Sequence, residues 1–540
     1  MRGWNFPDVW EIVAEERPDD VAVVHGERRV TWRDIDRRAD AVARRLLDLG
    51  AEHQDKVAQY LYNSPEYCES MFAIFKAGLV PVNTNYRYTA DELVYLWDNA
   101  DAIAVVFHGT FTDTITAIRD RVPRVRLWLW VADGTGPCPP WATPYEDVAG
   151  GGDGTRTVAA WGRSGDDILM LYTGGTTGMP KGVMWRQADL YRAFSTSTIH
   201  DPDEPDPEAV RTRLKGNQWP PALPACPLMH GTGMFTMLTT WSLGGAIVLL
   251  PSRKYDPEEL LDVIERERVT ALTIVGDAFA KPMLRALDEH PGRWDIRHLF
   301  AVVSSGVMWS EQTKQGLLRH HPNMLLADAF SSSEALGMGQ SVSSGDGAAK
   351  TAKFVLGDNA RVITEDGRDI APGSGEVGML AVKGICPVGY YKDPEKSART
   401  FRVIDGERYS VPGDFATVEA DGTLHVMGRG SVCINTGGEK VFPEEVEEAV
   451  KTHPSVFDAV VVGVPDERFG EAIWALVEPR PGQAIDDAVL IDHVKGRLAA
   501  YKAPRGVLEV TSVGRSPAGK VDYSRLRQEA IERSGALNRS

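Results

Sequence analysis

Tyr172-Thr-Gly-Gly-Thr-Thr-Gly-Met-Pro-Lys-Gly182 decides how this chain is read. The run packs four glycines, three threonines and a lysine into eleven residues, directly after the largely apolar stretch Asp167-Ile-Leu-Met-Leu171. That stretch has the length and composition of a buried strand. Glycines let the backbone turn sharply and bring its N–H groups close to an anion, because no Cβ blocks the approach. Threonine hydroxyls and Lys181 add donors and positive charge, as a polyphosphate requires. A plain surface turn would need the glycines but neither the hydroxyls nor the lysine. The loop is therefore read as a holder of nucleotide phosphates.

It is not a Walker A motif, which requires a hydroxyl residue immediately after the lysine. Here Lys181 follows Pro180 and precedes Gly182. A near match at Gly514-Arg-Ser-Pro-Ala-Gly-Lys520 is followed by Val521 and sits too close to the C-terminus for a strand–loop–helix core. Gly373-x-Gly375-x-x-Gly378 fits the dinucleotide pattern but runs into the strand-like Met379–Lys383 instead of opening a helix. Kinase and dinucleotide-binding readings are thereby weakened.

The chain has 540 residues, too many for one core, so two or more domains are expected. A net charge of −17 argues against a nucleic-acid partner and means that a polyanion site must be locally positive. The five cysteines form no Cys-x-x-Cys pair and read as reduced thiols of a cytoplasmic protein. No signal region and no apolar run of about eighteen residues occurs, so no transmembrane segment is expected. A homo-oligomer is compatible with the composition.

Strand-like and helical stretches alternate. A helix over Ile35–Leu49 closed by Gly50 precedes a strand at Val57–Leu61, and Ser64-Pro65 opens a helix to Lys76. Gly245–Leu250, Glu258–Arg268 and Ala271–Val275 form a strand–helix–strand unit. The pattern predicts an α/β fold with parallel sheets covered by helices. Residues 133–165 and 201–208 read as loops, and the last ten residues as frayed. A boundary near Gly428-Arg429-Gly430 separates a large domain, 1–428, from a small one, 429–540, with strands at Ala459–Val464 and Val507–Val510 and a helix near Ala488–Leu498.

Further motifs follow the loop in order: Phe330-Ser-Ser-Ser-Glu334, Gly375-Glu376 through Gly389-Tyr390-Tyr391, Tyr409-Ser-Val-Pro-Gly-Asp414, Gly428-Arg429, Gly437-Gly438-Glu439, Pro443-Glu-Glu-Val-Glu447 and Ser516-Pro-Ala-Gly-Lys520. Together they resemble the adenylate-forming superfamily of acyl-CoA synthetases, non-ribosomal adenylation domains and beetle luciferases. The resemblance implies a large N-terminal domain of α/β subdomains and a small mobile α+β C-terminal domain. It implies ATP, Mg²⁺ and coenzyme A together with a small carboxylic acid.

Residue by residue, the resemblance implies that Thr173, Gly174, Gly175, Thr176, Thr177, Gly178 and Lys181 grip the phosphates. Glu334 and Thr176 would hold Mg²⁺, a hard cation that takes oxygen ligands. Ser333 would bond the α-phosphate, Phe330 stack on adenine, and Asp414 accept from the ribose hydroxyls. Arg429 would add a fixed positive fork. Gly306, Asp328, Ser331 and Ser332 would complete the nucleotide site. Lys520 would bridge the carboxylate and the α-phosphate. In the second step the Gly437-Gly438 strand would replace it after the small domain rotates. Where the family usually has an aspartate or lysine hinge, this chain has Ser431.

His230 would gate the junction of acyl pocket and thiol tunnel, and Met234, Met237 and Trp241 at helical spacing would line the pocket. Taken singly, each has a plainer reading: Phe330, Met234, Met237 and Trp241 as core, Asp414 as a turn residue, Glu334 as a helix cap, His230 as structural and Lys520 as an exposed loop lysine. Gly430-Ser-Val-Cys-Ile-Asn435 and Lys181-Gly-Val-Met-Trp-Arg186 look most like actinobacterial fatty-acyl and steroid side-chain CoA ligases. The expected activity is an ATP-dependent acyl-CoA ligase for a bulky or long apolar acid, and the alternative an adenylation enzyme that loads a carrier protein. The four retained site residues Glu334, Asp414, Arg429 and Lys520 speak against an inactive sensor, and the lack of a Gly-x-Ser-x-Gly elbow against a serine hydrolase.

Overall fold

The structure is a computed structural model and describes residues 3–173, 179–195, 206–216, 219–307, 309–345, 347–429, 432–436, 439–466, 470–516 and 521–537. Among these, three sheets organise the chain. An eight-stranded sheet has parallel strands Val80–Asn83, Lys56–Tyr60, Ala102–His108 and Leu127–Val131 beside Ile168–Thr173. A fifteen-stranded sheet is parallel from Val21–His25 through Ile247–Leu249, Ala222–Pro224, Ala271–Ile274 and Ala301–Ser305 to Leu325–Phe330. Beyond Phe330 it turns antiparallel, through Gly339–Ser343, Lys353–Leu356, Thr423–Arg429 and Asp414–Val418. The expected parallel strands are present, and the antiparallel extension makes the sheet mixed. The reason is the short 331–338 connection, since a parallel crossover needs a dozen residues or more.

A five-stranded sheet begins after Arg429, with Ile434–Thr436 and Glu439–Val441 beside the long pair Val456–Asp466 and Gly470–Pro479. Its helices include Pro443–Lys451 and Asp487–Lys495, and the parallel strand Gly506–Glu509 completes it. The fold is α/β, a large N-terminal part with mixed sheets and helices plus a small C-terminal one. No described helix is long and apolar enough to cross a membrane.

Two expected loops are more ordered than their composition suggests. Within 133–165 lies the short helix Tyr145–Ala149, and Arg38 binds its Glu146 through Nη1 and Nη2, each at 2.8 Å. The same stretch is held where Arg163 grips both oxygens of Glu11 at 2.8 Å. Of the last ten residues, expected to fray, 531–537 continue the helix Tyr523–Leu537, which is anchored by the fully buried Leu526 and Ala530, and 538–540 lie outside the described residues. Of the acidic 201–208 insertion, 201–205 lie outside the described residues, and Pro207 starts a helix.

Under the eight-stranded sheet, Lys76 is fully buried among Glu11 at 2.9 Å, Asp36 at 2.7 Å and Asp40 at 2.8 Å. This joins the helices Phe6–Glu16, Trp32–Asp48 and Pro65–Lys76. Next to it, Trp241 stands edge-on to Trp10, ring centres 5.0 Å apart, and donates Nε1–H to Ala22 O. Met234, Met237 and Trp241 all belong to this buried core, as the plainer reading has them, and are not among the described residues that line the cavity at the candidate site.

Candidate active site

Strands Ile168–Thr173 and Lys181–Arg186 form an antiparallel hairpin that sets Thr173 opposite Lys181 and Tyr172 opposite Gly182. The hairpin therefore closes at the two ends of the glycine–threonine run. Gly182 is needed there, because a Cβ would stand 2.8 Å from Met170 Sδ and 2.9 Å from the Tyr172 ring. From the neighbouring strand, Asn83 accepts the Tyr172 N–H at 2.6 Å and donates to Tyr172 O and Met229 O at 2.9 and 2.7 Å. One amide thus ties the hairpin to the turn before His230. Asn63 accepts from Leu228 N–H at 2.7 Å, and Tyr67 Oη donates to Leu228 O at 3.1 Å, fixing the rest of that turn. His230 is the residue from which helix Gly231–Ser242 starts.

Two further segments dock on the hairpin. Gly389 and Tyr390 pair with Met184 and Val183, and Tyr390 Oη donates to Glu334 Oε1 at 2.8 Å. Asp393, just beyond, forms an ion pair with Lys181. The 331–334 turn is held by Trp185 Nε1, which donates to Ser333 O at 2.9 Å, and by Ser410 Oγ, which donates to Glu334 O at 2.6 Å. Ser332 Oγ accepts from the N–H groups of Glu334 and Ala335, and Ser331 Oγ from that of Gly337. Both serines therefore shape the turn and keep their O–H free to donate elsewhere.

These pieces border a cavity of about 660 Å³. Its large-domain wall includes Thr173, His230, Gly306, Asp328, Phe330, Ser331 and Asp414. Gly306 has φ of +96°, a backbone state that side chains rarely adopt. Phe330 stacks on Phe354 with ring centres 5.3 Å apart. Asp414 is 4% exposed and opens its strand directly opposite Arg429. Burial pushes the Asp328 carboxyl up to about 7; Lys314 pulls it down and Asp277 adds to the rise.

The facing wall comes from the small sheet and its helices, through Glu447, Lys451, Arg515, Ser516, Val521 and Tyr523. Arg515 binds Asp458 with both Nε at 2.6 Å and Nη2 at 3.0 Å. Tyr523 Oη donates to Glu447 Oε1 at 2.9 Å, and the Val461 N–H reaches the same oxygen at 3.0 Å. Lys451 lies within 3.9 Å of Glu447, Glu448 and Asp458. Residues on either side of 517–520 are thus bonded to carboxylates at the base of the small domain.

The family model described as "AMP-binding enzyme" matches residues 10–391, and the one described as "AMP-binding enzyme C-terminal domain" matches 445–520. The chain belongs to the AMP-binding enzyme family. Similar full-length relatives include a medium/long-chain-fatty-acid–CoA/3-oxocholest-4-en-26-oate–CoA ligase of Mycolicibacterium smegmatis, 38% identical over 98% of this chain and 97% of the relative. A 3-oxocholest-4-en-26-oate–CoA ligase of Rhodococcus rhodochrous is 39% identical over 96% and 94%. Among solved structures, ATP-bound MatB from Rhodopseudomonas palustris superposes with a TM-score of 0.79 at 26% identity, covering 98% of this chain and 99% of that one.

In this AMP-binding enzyme the cavity gathers Thr173, His230, Gly306, Asp328, Phe330, Ser331 and Asp414 on one wall, with Ser332, Ser333, Glu334 and Lys181 in the elements directly behind it. Gly174, Gly175, Thr176, Thr177, Gly178, Gly437, Gly438, Lys520 and Ser431 at the expected hinge lie outside the described residues, as does the side chain of Arg429. Sequence reasoning missed Asn63, Asn83, Asp393, Asp458 and Arg515. For Asp393 a signal existed, because it sits two residues after the quoted Gly389-Tyr390-Tyr391. Asn83 carried none, since its role arises from contacts with residues 89 and 146 positions away.

Proposed function

We propose that this enzyme is an acyl-CoA ligase that activates a long apolar or steroid side-chain carboxylic acid as its acyl-adenylate and then transfers the acyl group to coenzyme A. What supports the reading most is the single cleft in which the hairpin stem, the Asp328–Phe330 strand, Asp414 and the stem of the 517–520 segment meet. The full-length identity to named CoA ligases supports the substrate class.

A carboxylate oxygen attacks the α-phosphorus of ATP in line, the bond to the β-phosphate breaks, and pyrophosphate leaves. Both reactants are anions, so the protein contributes chiefly position and electrostatic stabilisation. Lys181, Thr176, Thr177 and the loop amides hold the β- and γ-phosphates, Phe330 and Asp328 the base, and Asp414 and Arg429 the ribose. Lys520 bridges the carboxylate and the α-phosphate. Glu334 and Thr176 would supply the few hard oxygen ligands that Mg²⁺ takes alongside phosphates, and the ion would neutralise phosphate charge there. In the second step the thiol of coenzyme A attacks the acyl carbonyl, the thiol proton is lost and AMP leaves, with His230 at the junction. Residues 429–540 move as one body between the steps, and Ser431 absorbs the backbone change.

Turnover with a panel of linear and steroid side-chain acids tests this reading. AMP is expected to form only when acid and coenzyme A are both present. Release that needs a carrier protein in place of coenzyme A would favour the loading enzyme. Replacing Lys520 (Lys520→Ala) is expected to slow adenylation by about a hundredfold or more. Thioester formation from supplied acyl-adenylate should change little, and equal loss in both half-reactions would remove Lys520 from its role.

A further inference from the structure

The segment that docks beside the phosphate hairpin carries a carboxylate for which the two-step chemistry has no use. Asp393 Oδ1 accepts the Lys396 N–H at 3.0 Å and so caps helix Pro394–Thr400. Its other oxygen pairs with Lys181. The pair is fixed by backbone on both sides. Tyr391 N–H donates to Gly182 O at 2.8 Å, Val388 N–H to Met184 O at 2.7 Å, and Ser397 Oγ to Asp393 O at 2.6 Å. The backbones that carry Lys181 and Asp393 are therefore held side by side, which keeps the carboxylate within reach of the ammonium.

Lys181 lies at the end of the phosphate loop, three residues after its last threonine–glycine pair, and its side chain is about one-third exposed, as is that of Asp393. An ammonium is a compact point charge whose field is shared among all anions around it. A polyphosphate gripped by Lys181 shares it with a built-in carboxylate, and the carboxylate repels that polyphosphate. The repulsion grows with the charge of the bound group. It acts more strongly on the pyrophosphate left by cleavage than on the same two phosphates within ATP, because the broken bond leaves its electron pair, and so one more negative charge, on the β-phosphate oxygen. The Asp393 carboxyl is held below its ordinary value, first by Lys181 and then by the Lys396 N–H, so the charge is present throughout the neutral range.

We propose that Asp393 is a positioning residue for Lys181 and, as a fixed negative charge beside it, weakens the retention of pyrophosphate and draws the adenylation step forward. This rests on the reading of Lys181 as a phosphate ligand. The test is Asp393→Asn, because asparagine caps a helix as well as aspartate does and only the charge is lost. Asp393→Ser, another capping residue, serves as a second variant, and melting curves verify that both fold.

Pyrophosphate inhibition and the KM for ATP are measured for both, with Lys181→Gln and the Lys181→Gln/Asp393→Asn double variant alongside. The Asp393 variants are expected to tighten pyrophosphate inhibition by about three- to tenfold, with a smaller change in KM for ATP and a gap that narrows as salt rises. In the Lys181→Gln background the Asp393 effect should shrink. If Lys181→Gln weakens ATP and pyrophosphate while the Asp393 variants leave pyrophosphate inhibition unchanged or weaker, the inference falls and the phosphate reading stands. If Lys181→Gln alters neither, both fall.

Discussion

Asp328 shows how a single side chain couples the site to pH. Its carboxyl is raised from 3.8 to about 7, first by burial. A raised carboxyl keeps its proton in the folded chain where the unfolded chain has lost it, so its contribution to stability is lost as pH rises from about 4 to about 7. Nucleotide binding runs the other way if the ionised carboxylate accepts a hydrogen bond from ATP. The KM for ATP is expected to fall by about five- to tenfold between pH 6 and 8, as the ionised fraction grows. In Asp328→Asn that slope should flatten, and a slope that survives the substitution would assign it to another group. Sequence showed that an acid stood at this position. Its shifted titration was not legible, because burial under Lys314 and Asp277 follows from strand and helix packing between residues 277 and 328.

At the level of elements, helices with strong caps were the most legible. Thr31 and Ser64 accept the N–H groups of Asp34 and Tyr67 and start the helices Trp32–Asp48 and Pro65–Lys76, both read correctly from local sequence to within a few residues. Helix Tyr145–Ala149 was not legible, because five residues have little intrinsic helicity and Arg38, more than a hundred positions away, holds them. The antiparallel half of the large sheet was hidden for the same reason. Thr423–Arg429 chooses its neighbours Lys353–Leu356 and Asp414–Val418 by pairing, not by pattern.

Two variants probe these joints. Lys76→Met leaves Glu11, Asp36 and Asp40 without the ammonium they share, a loss of about 3–5 kcal/mol. Thermal melting should show a large fall at pH 8 and a smaller one at pH 5, where the carboxylates protonate more readily. Asn83→Ala strips three buried hydrogen bonds from the hairpin and the His230 turn, and should lower stability by about 1–3 kcal/mol and raise the KM for ATP. Unchanged kinetics would show that the tie does not serve the site.

Across the whole molecule, the order of motifs along the chain was enough to foresee one cleft built from distant segments. Among the described residues, the cavity is lined by positions as far apart as Thr173 and Tyr523. How its far wall is braced was not legible, because Arg515–Asp458 and Tyr523–Glu447 join positions 57 and 76 residues apart. A net charge of −17 surrounds a site meant for polyanions, so binding of ATP depends on local cations and should weaken as salt screens them. The central claim is that one oxygen of an organic acid ends on the phosphorus of AMP. It is tested most directly by turnover with a carboxylate labelled in both oxygens with oxygen-18, followed by mass spectrometry of the products. The account expects a single labelled oxygen in AMP and none in pyrophosphate, with the second label in the thioester carbonyl. Unlabelled AMP, or label appearing in inorganic phosphate beside ADP, would contradict it.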